Sequence, residues 1–191
     1  MARTYTKAKR AEKEAETRLR IVEATVDLHR EVGPARTTIK MIAERAGVQR
    51  HTVYAHFPDE MDLHMACSGH HMEQNPLPSP DEWAAVNDPQ VRLEKALGAL
   101  YGWYARHAQL MASILRDAEI HPPTRQVTDL RAGPGMSAIA GSVAGDIGER
   151  GKAALALAMS FHTWRTLVEE AGLDTPAAAG LMATAVNGAD G

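Results

Sequence analysis

Between Thr37 and Phe57 the chain carries two short apolar-periodic segments around one glycine, a pattern that few folds accommodate. Ile39, Ile42, Ala43 and Ala46 recur at the 3–4 spacing of a single helical face. Thr37 or Thr38 can supply the N-cap oxygen. Gly47 stands where a tight turn needs a residue free to take positive φ, and Val48 follows as an apolar plug. A second short helix is predicted over about residues 50–56, with Val53 and Phe57 turned inward. Its other residues, Arg50, His51, Thr52, Tyr54 and His56, face outward.

The rest of the chain is helical in periodicity, with no convincing alternation of the strand type. A first helix is predicted over about 10–32, its stripe being Ile21, Ala24, Thr25, Leu28 and Val32. Glu14–Arg18 and Glu16–Arg20 are i,i+4 pairs with the acid placed first. Gly33-Pro34 ends that helix. Asp59 can cap a fourth helix running to about Gln74, and the three prolines of Asn75–Pro80 break it. Further helices are predicted at about 89–106, 108–119, 123–147 (interrupted at Gly133-Pro134-Gly135), 151–171 and 176–188. In 151–171, Ala154, Leu157, Phe161, Trp164, Val168 and Ala171 form a heptad-like seam. The expectation is an all-α protein of about nine helices. It comprises a three-helix N-terminal domain over 1–58 and a helical domain over 59–191.

Charge divides along the same line. The 191 residues carry a net charge of -3, which at face value argues against a polyanionic partner. Residues 1–60, however, hold twelve Lys and Arg against nine Asp and Glu, +3, and the remainder sums to -6. Arg3, Lys7, Lys9, Arg10, Lys13, Arg18 and Arg20 cluster in the first twenty residues. A basic head on an acidic body is expected where one domain alone meets a polyanion. A solvated helix face is the bland alternative. The single cysteine, Cys67, excludes an internal disulfide framework. The charged start lacks a secretory signal's apolar core, and no run reaches the ~18 apolar residues of a membrane span, so a cytoplasmic location is expected. A Gly-rich phosphate loop, a His-Glu-x-x-His pair and a Gly-x-Ser-x-Gly elbow are all missing, so no enzyme is expected.

The Thr37–Phe57 segment has the logic of a helix-turn-helix, whose second helix enters the major groove. Arg50 can make a bidentate contact to guanine, whereas Tyr54, Thr38 and Lys40 suit phosphates. From Arg20 to Leu63 the sequence resembles the tetracycline-repressor (TetR) family of transcriptional regulators. Ala24, Leu28, Gly33, Thr37, Ile42-Ala43, Ala46-Gly47-Val48, Thr52-Val53-Tyr54, His56-Phe57 and Leu63 fall where that pattern wants them. Three positions depart from it: His29 replaces a core Phe, Gln49 a capping Ser, and Glu60 a phosphate-contacting Lys. The resemblance implies double-stranded operator DNA as partner, contacted through Thr38, Lys40, Gln49, Arg50, His51, Thr52, Tyr54 and His56.

It also implies a homodimer, without cofactor, whose C-terminal domain holds a small-molecule inducer and whose last two long helices form the interface. Leu157, Phe161, Trp164, Val168, Leu181 and Ala185 are the interface candidates, and Phe161 and Trp164 fit a plain core equally well. By position and chemistry, Trp103, Tyr104, His107, Met111, Met159 and His162 are candidates to line a pocket for an apolar or aromatic inducer. Two other readings stay open. One is a helical small-molecule-binding protein that does not act on DNA. The other is a metal-responsive regulator using Cys67 and His71, with His64 a turn before and His70 and Glu73 nearby.

Overall fold

A computed structural model describes the backbone of residues 2–190 and the side chains of residues 8–190. Arg3 and Lys7 of the basic arm lie outside the described side chains. Among the described residues the chain is all-α, with nine helices and no strand. They are α1 (Ala2–Glu31), α2 (Ile39–Ala46), α3 (Arg50–His56), α4 (Glu60–Gln74), α5 (Pro89–Ala118), α6 (Pro122–Val143), α7 (Glu149–Ala158), α8 (Phe161–Trp164) and α9 (Thr175–Asn187). Two compact units emerge: one comprises residues 1–75 and 112–131, the other 76–111 and 132–191. The segment 1–58 lies wholly in the first.

In the first unit the predicted apolar faces meet. Ile21, Val22, Ala24 and Leu28 of α1 pack with Ile42, Ala43 and Ala46 of α2, Val53 of α3, Phe57, and Leu63 and Cys67 of α4. Each large apolar side chain taken out of water contributes roughly 1.5–3 kcal/mol, which compensates for ordering two very short helices. Thr25 sits in this core because its hydroxyl donates to the Ile21 carbonyl at 2.7 Å. The α1 helix ends where the N–H groups of Val32 and Gly33 both reach the Leu28 carbonyl, at 2.9 and 3.3 Å. Gly33 then takes φ 94°, a conformation that favours glycine.

The second unit is built on aromatic anchors. Trp83 follows a 3-10 turn whose capping box joins Ser79 and Glu82, and its indole N–H donates to the Ser142 hydroxyl at 2.9 Å. Leu93, Ala96, Leu97, Leu100, Tyr101 and Tyr104 of α5 are buried, as are Ile139 of α6 and Phe161 and Trp164 of α8. The α7 and α9 helices pack on one another, the latter burying Ala178, Ala179, Met182, Ala183 and Val186. Small side chains on that face let the helix axes approach closely.

Two helix expectations need correction. The Gly133-Pro134-Gly135 sequence does not interrupt α6, which runs through Pro134. Proline removes only one backbone donor, and Gly135 makes room for the Leu77 side chain, which an added Cβ would meet at 2.7 Å. By contrast, the predicted continuous helix over 151–171 is broken. The α7 helix stops at Ala158, and Ser160 starts α8 by accepting from the His162 N–H at 3.2 Å. A π-helical stretch, Arg165–Glu170, completes the segment. The expected discontinuity between 106 and 108 is present as a kink inside α5, with His107 at φ -120°, ψ 15°.

Candidate nucleic-acid interface

The helix-turn-helix is assembled by local backbone chemistry. Thr38 is the N-cap of α2, its hydroxyl accepting from the Met41 N–H at 3.3 Å. Gly47 adopts the left-handed conformation, φ 66°, ψ 37°. Its N–H reaches the Glu44 carbonyl at 3.3 Å and the Val48 N–H reaches the Ala43 carbonyl at 2.9 Å. Those paired bonds form a Schellman motif, which ends α2 and aims the chain into α3. Gln49 gives α3 no side-chain cap, as its chemistry predicts. Only its carbonyl takes part, accepting from Thr52 and Val53 at 2.9 and 3.3 Å.

Val53 is the one buried residue of α3. Arg50, His51 and Tyr54 are exposed, Tyr54 by 55%, and Thr52 and His56 are half-buried. Thr38, Lys40 and Gln49 are exposed as well. The Lys40 ammonium lies 3.8 Å from the Glu44 carboxylate, a solvated i,i+4 pair too weak to hold it. An aromatic ring and a guanidinium left in water on one helical face are the features that a groove-binding helix presents.

Other parts of the first unit fix the orientation of this pair of helices. The predicted Glu14–Arg18 and Glu16–Arg20 pairs are not the contacts that Arg18 and Arg20 make. Arg18 lies 4.3 Å over the Phe57 ring, and Arg20 donates to the Ala46 carbonyl at 3.3 Å, while Glu14 pairs with Arg10 at 3.1 Å. Tertiary partners outcompete a solvated helix pair that is worth only a few tenths of a kcal/mol. Arg45 makes a two-pronged contact to Glu31 at 2.9 and 2.7 Å. The end of α5 grips the segment between α1 and α2. Arg116 donates to the Val32 carbonyl at 3.1 Å, and the buried Asp117 accepts from the Ala35 N–H at 2.9 Å. Burial pushes the Asp117 carboxyl up, but the Arg116 hydrogen bond, the Ala35 N–H and the Arg116 and Arg36 charges together hold it below its ordinary value.

Beneath the head lies a cluster that the sequence did not bring together. His29 of α1 meets His64 of α4 edge-on, 5.1 Å between ring centroids, and His64 stands 5.8 Å from His121, which lies between α5 and α6. Cys67 Sγ lies 3.8 Å from His29 Nδ1 and donates to the His64 carbonyl at 3.3 Å. The structure thus brings Cys67 to His29. Burial pushes the Cys67 thiol up to about 12 and, with the neighbouring His64, takes His29 down to about 3. Burial likewise lowers His64.

In the second unit Trp103, Tyr104, His107, Met159 and His162 belong to one aromatic nest. Trp103, Tyr104 and Met159 are buried, His107 packs 4.6 Å from Trp103, and Met111 is half-buried. Tyr104 stacks edge-on against Phe161 at 5.5 Å and donates its hydroxyl to the Met159 carbonyl at 2.7 Å. His162 is exposed, with its ring 5.8 Å from Phe161. Tyr101, which the sequence did not single out, donates to the Ala158 carbonyl at 2.7 Å. Of the interface candidates, Leu157 and Leu181 are 59% and 51% exposed, Ala185 is exposed and Val168 half-buried. Phe161 and Trp164 are 3% and 2% exposed within the chain's own core. The break at Ser160 accounts for that, since a heptad seam from Leu157 into the two aromatics requires one unbroken helix.

The α2–turn–α3 segment has the construction of a helix-turn-helix. Residues 21–63 match the family profile described as bacterial regulatory proteins, tetR family. A transcriptional regulator from Rhodococcus sp. RHA1 has the same fold with a TM-score of 0.65 at 20% identity, covering 91% of this chain and 98% of that one. A tetR-family transcriptional regulator from Streptomyces coelicolor gives 0.60 at 17%, with coverages of 90% and 79%. The transcriptional regulator FadR from Bacillus subtilis, solved in complex with stearoyl-CoA, gives 0.52 at 16%, with coverages of 90% and 98%. No curated protein sequence matches the chain. The head thus carries the sequence pattern of the tetR family over residues 21–63, and the full-length fold is that of the solved regulators. Among the described residues no helix is long and apolar enough to cross a membrane.

Proposed function

We propose that the protein is a ligand-released repressor that binds a pseudo-palindromic operator as a homodimer, with residues 1–58 as the reading head and 59–191 as the ligand-binding and dimerisation domain. The observation that carries this reading is the outer face of α3, where Arg50, His51 and Tyr54 are all exposed beside a single buried valine. Arg50 reads base edges, and Thr38, Lys40 and Tyr54 hold phosphates. Gln49, His51, Thr52 and His56 complete the contact. The basic cluster of the first twenty residues adds sequence-independent attraction.

The ligand is apolar or aromatic. Trp103, Tyr104 and Met159 supply the apolar wall, with His107, Met111 and His162 at its margins. In that nest the Trp164 indole N–H is buried without a hydrogen-bond partner among the described residues. A buried donor left unmade costs roughly 1–3 kcal/mol, and an acceptor on a ligand would recover it. Dimerisation uses the exposed apolar residues of α7 and α9, Leu157, Leu181 and Ala185, with Val168 at the edge.

Fluorescence anisotropy on the DNA upstream of the protein's own coding region tests the reading. Arg50→Ala is expected to erase the preference for that DNA over a scrambled duplex. Arg10→Ala is expected to lower affinity for both and to reduce the salt slope by about 1. Equal affinity of the unsubstituted protein for both duplexes at moderate salt refutes it.

A further inference from the structure

Glu60 opens α4 with three residues between it and the end of α3, and its side chain is 58% exposed. Two imidazoles of the same unit face it. His64 Nε2 and His121 Nε2 stand 3.8 and 3.6 Å from one oxygen, Oε1 of Glu60. Those distances are too long for hydrogen bonds, yet they are ion-pair distances once a ring carries charge. Among the described residues no group of three or more His, Cys, Asp or Glu side chains is placed to hold a metal ion. What this cluster can exchange with solvent is a proton.

We propose that the His64–His121 pair, by taking up one proton, cancels the charge of Glu60 and so tightens the hold of the head on DNA as pH falls. The proposal rests on the reading of residues 1–58 as a DNA-binding head and adds a regulatory input to it. Asp59, Glu60 and Asp62 put three carboxylates at the start of α4. Residues 1–60 carry only +3 with Glu60 counted among their nine carboxylates, and +4 once its charge is cancelled. An exposed carboxylate is felt over a Debye length of about 8 Å, and phosphates within that range are repelled. By linkage DNA favours the protonated pair, so binding takes up protons and affinity rises through the histidine range as pH falls.

The surroundings of the pair suit one proton. His121 Nδ1 lies 2.8 Å from the hydroxyl of the buried Thr124, which leaves Nε2 to Glu60. A hydroxyl donates to a neutral ring or accepts from a charged one, so Thr124 does not resist protonation. The His64 side chain is held at 8% exposure, against 22% for His121, which also borders an open groove along residues 118–122, 125–126 and 129–130. The proton therefore enters from the His121 side. The two ring centroids are 5.8 Å apart and a charge on His121 opposes one on His64, so the pair takes one proton rather than two. Behind His64 stand His29 of α1 and Cys67 of α4, both kept neutral by burial. Asp117 at the end of α5 is engaged by Arg116 at 2.7 Å. Glu119, Arg125 and Asp129 line the outer groove, where Arg125 is taken up by the Ala118 and Glu119 carbonyls at 3.0 and 3.4 Å. Glu60 is the carboxylate that reaches both rings.

Fluorescence anisotropy with full-length protein on the upstream and scrambled duplexes, from pH 8 to pH 6 at fixed ionic strength, tests the proposal. Affinity for both duplexes is expected to rise about fivefold or more over that range. Glu60→Gln should bind at pH 8 nearly as tightly as the unsubstituted protein does at pH 6, with a flatter profile. His121→Gln should instead stay near the weak pH 8 affinity and lose most of the gain. Those opposite effects separate the Glu60 cluster from His51 and His56 of α3, which are present in all three proteins. Without DNA, the ring protons of His64 and His121 followed by NMR should titrate at lower pH in Glu60→Gln. Parallel pH profiles for the three proteins, or ring titrations unmoved by Glu60→Gln, overturn the proposal and leave the reading of the head standing. Equal affinity for the two duplexes at every pH refutes that reading and the proposal with it. Helical circular dichroism equal to that of the unsubstituted protein establishes that each variant is folded.

Discussion

The Arg18 guanidinium lies 4.3 Å over the centre of the Phe57 ring and so ties the middle of α1 to the end of α3. Phe57 is itself buried in the core of the head. The cation therefore covers the face of the aromatic residue that caps the end of α3. Two residues on, Arg20 holds the Ala46 carbonyl at the end of α2. One turn of α1 thus contacts the end of each helix of the motif.

Arg18→Ala is expected to lower stability by about 0.5–1 kcal/mol, the range for an exposed cation–π contact, read as a lower urea midpoint at unchanged slope. Arg18→Lys keeps the charge and loses the flat stacking surface, so its midpoint should fall between the two. A midpoint unmoved in Arg18→Ala would show that the stack contributes nothing.

The two positive-φ glycines of the head should respond differently to alanine. At Gly47 an added Cβ comes no closer than 4.0 Å to Arg20, so only the left-handed backbone is penalised, about 1–2 kcal/mol. At Gly33 the same atom would lie 2.2 Å from Arg116 Nη2 and 2.3 Å from Asp117 Oδ2. That displaces the carboxylate from the Ala35 N–H, and a hydrogen bond to a charged group is worth a further ~1.5–3 kcal/mol. Equilibrium denaturation should rank Gly33→Ala well below Gly47→Ala. The reverse order would mean that the α5 end does not grip this segment.

Much of the head was legible in the sequence because its determinants are local. The Thr38 cap, the Gly47 turn and the apolar faces of α2 and α3 each depend on residues within a few positions of one another. What escaped were competitions between local and distant partners. Arg18 and Arg20 had good i,i+4 acids and took Phe57 and Ala46 instead. Spacing from Ala154 to Ala171 fits a heptad, but Ser160 has an N-cap hydroxyl in mid-segment and uses it. The site residues divide in the same way. Those of α3 share one face by period alone, while His29, Glu60, His64 and His121 meet only because α1, α4 and the α5–α6 connection pack together.

The buried histidines set an acid limit on stability. His29, held down to about 3 by burial and His64, stays neutral in the folded chain, whereas in the unfolded chain it protonates near 6.5. The groups facing it are His64, Cys67, Asp117 and His121, and only Asp117 favours its charged form. Below 6.5 the unfolded state binds the extra proton, so stability is full above that value and falls as pH drops toward about 3. The slope from one such group is about 1.4 kcal/mol per pH unit. His29→Phe, which restores an apolar side chain, should flatten the profile between pH 6 and 4 by about that slope. Parallel profiles for the two proteins would show that His29 does not carry the effect.

The exposed leucines of α7 and α9 offer the sharpest separation of folding from assembly. Leu157 and Leu181 are 59% and 51% exposed in the single chain, so replacing both by glutamate removes little intrachain packing. Chemical denaturation of the monomer should change by no more than about 0.5 kcal/mol, the usual range for surface positions. Across a two-fold interface the same substitutions bring like charges together and bury them without partners. If the proposed dimer forms, sedimentation equilibrium of the Leu157→Glu/Leu181→Glu variant should therefore give the mass of one chain, against two for the unsubstituted protein. Trp164→Phe changes a side chain 2% exposed within the chain's own core and should leave that mass at two chains. A dimer that survives the double glutamate and dissociates on Trp164→Phe would move the interface from α7 and α9 to α8.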